Sequence, residues 1–184
     1  MKKTLKFIPI ILAVIIVGCA APVSYVATPA EPLTRYLSLE IDPIQSEVIG
    51  QVNQAILDEI MTGAVKDIIA TNRFDEIRLV DDRLRKQLSR PVIVDSLSTA
   101  GDNIAVLLPV LLDYNKGNAL LRFLFGFMAG AGNVKFELKV LDKTTGLELV
   151  RAETAAAIAG AYASEQVVVI PLSKAIAKFV EQSF

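Results

Sequence analysis

Four carboxylates, Asp75, Glu76, Asp81 and Asp82, lie within eight residues. Acidic groups at such spacing can hold Ca²⁺, or split into a proton donor and a proton acceptor. The Asp-x-Asp-x-Asp-Gly spacing of a calcium loop is absent, and no nucleophile or cleft is marked beside them. With Arg73 and Arg78 as neighbours they read as a helix end followed by a solvated turn. The remaining inventory is short: 184 residues hold no His, no Trp and one Cys. That excludes a Ser-His-Asp triad, a Cys-His pair, an imidazole metal site, an internal disulfide and a thiolate zinc cluster. With 19 Lys+Arg against 20 Asp+Glu, the net charge of −1 supplies no basic footprint for nucleic acid. No catalytic residue, cofactor or metal ligand is therefore expected, and the chain reads as something other than an enzyme.

The single sulfur nucleophile is Cys19, and its position is informative. Lys2, Lys3 and Lys6 precede an apolar run, Phe7 to Val17, that is too short to span a bilayer. Together they form a secretory signal. The sequence Ile16-Val17-Gly18-Cys19 resembles a bacterial lipobox. In that class of signal the thiol takes a diacylglycerol, cleavage occurs before the cysteine, and the new amine is usually acylated. An incidental cysteine beside an uncleaved anchor is the competing explanation. Two or three acyl chains satisfy the requirement that stable anchoring takes more than one. Residues 1–18 are thus expected to be a lipoprotein signal peptide, and the mature chain to be anchored without spanning. Ala20 in place of Asp after the cysteine favours the outer membrane, by resemblance to sorting in enteric bacteria. Loss of the three signal lysines leaves 16 basic against 20 acidic side chains, or −4, so the body has no electrostatic reason to lie flat on anionic lipid.

Residues 19–32, with three prolines, read as a lipid-anchored tether, and residues 33–184 as a single α/β domain. Extended as polyproline II, residues 20–32 would reach about 40 Å. Leu37, Leu39 and Ile41 alternate with polar residues as a half-buried strand does. Asp42-Pro43 looks like a helix start, and apolar residues from Ile44 to Ile69 recur so as to predict one long amphipathic helix over 44–70. Ile77–Val80 reads as a strand, Arg83–Gln87 as a short helix and Ile104–Leu112 as a central strand in which Pro109 marks a bulge or an edge. Val134 to Val140 and Leu147 to Arg151 flank Asp142-Lys143-Thr144-Thr145-Gly146 as a hairpin. Leu172 to Val180 reads as a closing helix; Gln166–Ile170 suits either strand or early helix. The expected architecture is α/β (α+β): a two-layer sandwich, mostly antiparallel, covered by the long helix and the C-terminal helix.

Residues 117–132 hold four glycines in an apolar setting. No Lys-Ser/Thr follows and the G-x-G-x-x-G spacing is missing, so this is not a nucleotide loop. About ten apolar residues between Arg122 and Asn133 are too few to span a bilayer. A short helix entering a glycine turn remains, either packed in the core or exposed as a docking surface. Gly126 and Gly130, four apart on a helix, would admit another backbone closely. The pattern Gly117-Asn118…Leu121-Arg122…Gly126-Phe127…Ala129-Gly130, followed by an alternating strand and Asp142…Thr145-Gly146, resembles the bacterial lipoproteins grouped as domain-of-unknown-function family 4410. The likeness covers residues 115–150, and Met128 stands where that family usually has a small residue. More loosely, the order of elements is similar to small α/β domains of periplasmic lipoproteins. The resemblance implies an envelope lipoprotein without assigned chemistry. The expectation is a membrane-anchored protein-interaction or assembly component facing the periplasm, with an envelope protein partner or a homo-oligomer and no nucleic acid. Gly117, Asn118, Arg122, Gly126 and Gly130 are its candidate interaction surface and Cys19 its lipidation site. The alternative is a small-ligand or lipid-binding domain.

Overall fold

A computed structural model describes residues 22–27, 33–48, 50–88, 103–125, 130–159 and 163–184, with backbone only for Gln87 and Arg122. Seven strands and four α-helices follow in the order β1 (Val23–Ala27), β2 (Ser38–Ile41), β3 (Gln45–Ser46), α1 (Gln54–Ala70), β4 (Glu76–Leu79), α2 (Asp82–Gln87), β5 (Ile104–Asn115), α3 (Ala119–Phe125), β6 (Gly132–Asp142), β7 (Glu148–Ile158) and α4 (Val169–Ser183). A 3-10 turn, Glu165–Val168, leads into α4. Cys19 and Gly126 lie outside the described residues.

The sheet order is β1-β7-β6-β5-β2-β4, with β3 also paired to β5. Strict alternation builds its centre. Along β6 every second side chain is buried, among them Val134, Phe136, Leu138 and Val140. Each contributes about 1.5–3 kcal/mol by leaving water. α1 and α4 cover this face, bringing Ile56, Ile60, Ile68, Leu172, Ile176 and Phe179 onto it. The opposite face carries ion pairs, Lys135–Glu153 at 2.8 Å and Lys139–Glu137 at 2.7 Å, partly exposed and so of modest worth.

The expected sandwich is found, with two differences in its elements. The sheet is mostly antiparallel, as expected, through the β1/β7, β7/β6 and β6/β5 ladders, and the shorter pairings β5/β2, β2/β4 and β5/β3 are parallel. The 17-residue helix α1 supplies the crossover that a parallel β2/β4 pair needs. That helix begins at Gln54, not at residue 44. Gly50 sits at φ +141°, outside helical space, and β3 draws residues 45–46 into the sheet beside Val110 and Leu111. Ile44, Val48 and Val52 still pack on the core, so their spacing reports burial and not helix. Finally, residues 23–27, read as tether, form edge strand β1 on β7. Tyr25 holds it there, its ring 5.8 Å from that of Phe179 and its hydroxyl donating to Gln182 at 3.1 Å.

Pro109 is tolerated in a central strand for a local reason. The carbonyls of Leu107 and Leu111 accept from the N–H groups of Asp42 and Glu47, so odd-numbered β5 residues aim their backbone toward β2 and β3. Pairing to β2 stops at Leu107 and pairing to β3 starts at Val110. The missing N–H of Pro109 faces the gap between them.

The hairpin end of the sheet is pinned by a buried acid. The hydroxyl of Tyr36, fully buried, donates to Asp142 Oδ2 at 2.6 Å, and the Thr145 N–H and hydroxyl donate to Oδ1 at 2.8 and 2.9 Å. The Tyr36 bond first, then those from Thr145, pull the carboxyl down to about 2. A carboxyl depressed in the folded state stabilises above its unfolded pKa and loses that stabilisation as pH falls toward its folded one. Stability is therefore expected to fall between about pH 4 and pH 2, and Tyr36→Phe to flatten that dependence. Urea unfolding across this range checks it; parallel curves for the two proteins would refute the assignment.

Candidate functional site

Between β5 and β6 the chain leaves the sheet, forms α3 and returns through a neck of glycine and asparagine. Asn115 Oδ1 accepts from the Gly117 N–H at 2.8 Å, closing an Asx turn. Gly117 then takes φ +69°, which L side chains resist. Asn118 caps α3, its Oδ1 accepting from the N–H groups of Leu120 and Leu121 at 3.0 and 3.2 Å. The Asn118 N–H donates to the Gly130 carbonyl at 2.8 Å, tying the outgoing strand to the returning one. Gly130, at φ +65°, lies so close that a Cβ would meet the Asn118 carbonyl oxygen at 2.7 Å. At Gly132 a Cβ would stand 2.2 Å from the Asn115 carbonyl oxygen.

This neck presents an apolar helix to the outside. Leu120, Leu121, Phe123, Leu124 and Phe125 are 63, 40, 59, 57 and 74% exposed. Five large apolar side chains on seven residues, each at least 40% exposed, form the kind of patch that marks a contact surface. The question left open by the sequence, core or surface, is answered for residues 119–121 and 123–125: they are surface.

An open cleft of about 550 Å³ lies at the base of α3, lined among others by Asn53, Asn118, Leu120, Ser164 and Glu165. Glu165 accepts from the Asn53 amide at 2.5 Å and from the Tyr114 hydroxyl at 2.8 Å. Burial, then the bond to Glu165, pushes the Tyr114 hydroxyl up to about 12. The group is thus a fixed donor at neutral pH and not a proton shuttle. These bonds fasten the starts of α1 and of the turn before α4 to the end of β5. Three of the four clustered carboxylates are held by neighbouring arginines: Glu76 pairs with Arg78, Asp82 with Arg85, and Asp81 caps α2 while pairing with Arg83. Among the described residues no group of three metal-binding side chains converges.

Of the candidate surface residues, Gly117, Asn118 and Gly130 meet in the neck and Arg122 lies on α3. Gly130 follows the helix instead of lying on it, so its small size serves closure of this loop and not approach of a foreign backbone. Sequence reasoning missed Asn115 and Gly132, whose roles depend on a contact across seventeen residues. It also passed over Phe123, Leu124 and Phe125 as contact side chains, although three large apolar residues in a row beside glycine were a visible signal.

A family model described as a domain of unknown function, DUF4410, matches residues 43–161, more than half of the chain. The chain belongs to this family. The DUF4410 region contains the neck and α3. Among solved structures, the PelC dodecamer from Paraburkholderia phytofirmans is similar at a TM-score of 0.54 and 13% identity, over 89% of this chain and 97% of that one. A point variant of the same dodecamer gives 0.50 and 12% over the same shares. Lipoprotein GNA1162 from Neisseria meningitidis gives 0.44 and 10%, over 78% of this chain and 98% of that one. At these identities the likeness to the dodecamer is one of fold alone. No curated protein matches the sequence. No helix among the described residues is long and apolar enough to cross a membrane.

Proposed function

We propose that this DUF4410 chain is an envelope lipoprotein, anchored through Cys19 in the outer membrane with its domain in the periplasm, that acts by contact and assembly and not by catalysis. The observation that carries this reading is α3. A domain standing free in water has no reason to present five large apolar side chains on a hydrogen-bonded neck, so α3 marks a contact surface. The lipobox-like Ile16-Val17-Gly18-Cys19 supports the anchor. The fold shared with a protein described as a dodecamer supports assembly with further copies of the chain.

Cross-linking in intact cells, followed by mass spectrometry of the full acylated chain, tests the reading. Wild type is expected as cross-linked multimers or in complex with an envelope protein, with diacylglycerol on Cys19. Recovery of wild type as an unlinked monomer would overturn the assembly role.

A further inference from the structure

We infer that α3 docks into the same lipid leaflet that holds the Cys19 acyl chains, as a second and non-covalent membrane contact. This rests on the lipid-anchored reading of Cys19 and names what α3 touches.

Strand direction carries the argument. β1 runs antiparallel to β7, with Val23 opposite Thr154 and Tyr25 opposite Ala152. The chain before Val23 therefore departs toward the Ile158 end of β7. Ile158 pairs with Gly132, the first residue of β6, and Asn133 pairs with Asn115, the last residue of β5. α3 connects those two strand ends. The anchor and the apolar helix consequently leave the sheet at the same end, and the 143–147 turn lies at the other.

Chain length closes the geometry. Cys19 precedes Val23 by four residues, a reach of about 14 Å. The strand from Phe136, level with Val23, to Gly132 spans about 13 Å at roughly 3.3 Å per residue. Fully extended, that length just reaches the level of the sheet end from which α3 projects, so it is too short to hold the domain far from a lipid on Cys19. A seven-residue helix about 10 Å long needs only the headgroup and upper acyl region to cover its apolar side chains. Residues 114–133 contain Lys116 and Arg122 and no acidic side chain; the acids beside the neck, Asp113 and Glu165, accept hydrogen bonds from Asn133 and from Asn53 and Tyr114, and the chain without residues 1–18 is at −4.

The test uses the full acylated chain. Cys19 is the only cysteine, and its sulfur is a thioether once acylated, so Phe125→Cys and Leu147→Cys each offer one thiol to an environment-sensitive dye. Both positions are exposed, at opposite ends of the sheet. The labelled proteins are placed in phosphatidylethanolamine and phosphatidylglycerol vesicles with brominated acyl chains. The dye at 125 is expected to be quenched several-fold and shifted to the blue, and the dye at 147 to behave as in water. Equal, weak quenching at the two sites would overturn the inference. So would a dye at 125 that is shielded from water yet unquenched by brominated lipid, which is the signature of a protein partner. A dye attached to Cys19 itself would reveal a missing thioether and overturn the anchoring; quenching at 125 in a Cys19→Ala background then decides α3 separately.

Discussion

Gly132→Ala is expected to lower the unfolding free energy by the upper part of the roughly 0.5–3 kcal/mol that single substitutions usually cost. The added Cβ would stand 2.2 Å from the Asn115 carbonyl oxygen, 2.6 Å from the Lys116 carbonyl carbon and 2.8 Å from the Gly117 nitrogen. All three are backbone atoms, so no rotamer change relieves the clash. Nor can the backbone move freely, since the Asn115 side chain and the Asn118 N–H bond the turn on both sides. Opening the neck would release the β5/β6 ladder at Asn115–Asn133 and free α3 from its fixed position. Gly146→Ala is the comparison: Gly146 has φ +68° but nothing within 4 Å, leaving only the backbone penalty of about 1–2 kcal/mol. Urea midpoints of the two variants check the difference, and a Gly132→Ala midpoint equal to wild type would remove the neck from the account.

Gly63→Val should be of similar size for a different reason. α1 and α4 cross where Gly63 faces Ser173, and a Cβ at 63 would meet Ser173 Oγ at 2.6 Å and its Cβ at 2.9 Å. The Ser173 hydroxyl is buried and lies 2.8 Å from the Ile60 carbonyl oxygen and 2.7 Å from that of Val169, one proton serving either. A branched side chain at 63 forces the helices apart and uncovers the core below them, an overpacking cost of about 1–3 kcal/mol. Gly63→Ala is milder, because alanine regains about 1 kcal/mol of helix propensity against the same contact. Moving the small residue across the interface, in Gly63→Ala/Ser173→Gly, should recover part of the loss if the contact is what matters. Independent, additive effects of the two changes, read from thermal or urea unfolding, would argue otherwise.

Much of the fold was legible where one local pattern had one explanation. The alternation around Asp142-Lys143-Thr144-Thr145-Gly146 became β6 and β7, and Leu172 to Val180 lies in α4. The 44–70 helix was too long because Ile44, Val48 and Val52 keep a four-residue spacing while packing on the core from an extended segment. Burial and helical period coincide there, and only Gly50 hinted at the break. β1 was missed because five residues between prolines have no core of their own; Tyr25 finds one on Phe179, more than 150 positions away. In the candidate site, Gly117, Asn118 and Gly130 stood out by type, whereas Gly132 gained its meaning from Asn115.

By itself the sequence determined what the chain lacks and where its chemistry is concentrated. The absence of histidine, the single cysteine after Val17-Gly18, and the alternating and helical periods are properties of residue type and short-range order. The family likeness, too, rests on a short run of glycine and asparagine. Tertiary structure decided the rest: that α3 faces outward, that the neck closes on Gly132, that residues 23–27 join the sheet, and that its two halves differ in strand direction. The physical reason is the same in each case. Whether an apolar side chain is buried, and which backbone atoms meet, depends on partners distant in the chain, and these become neighbours only once strands pair and helices pack.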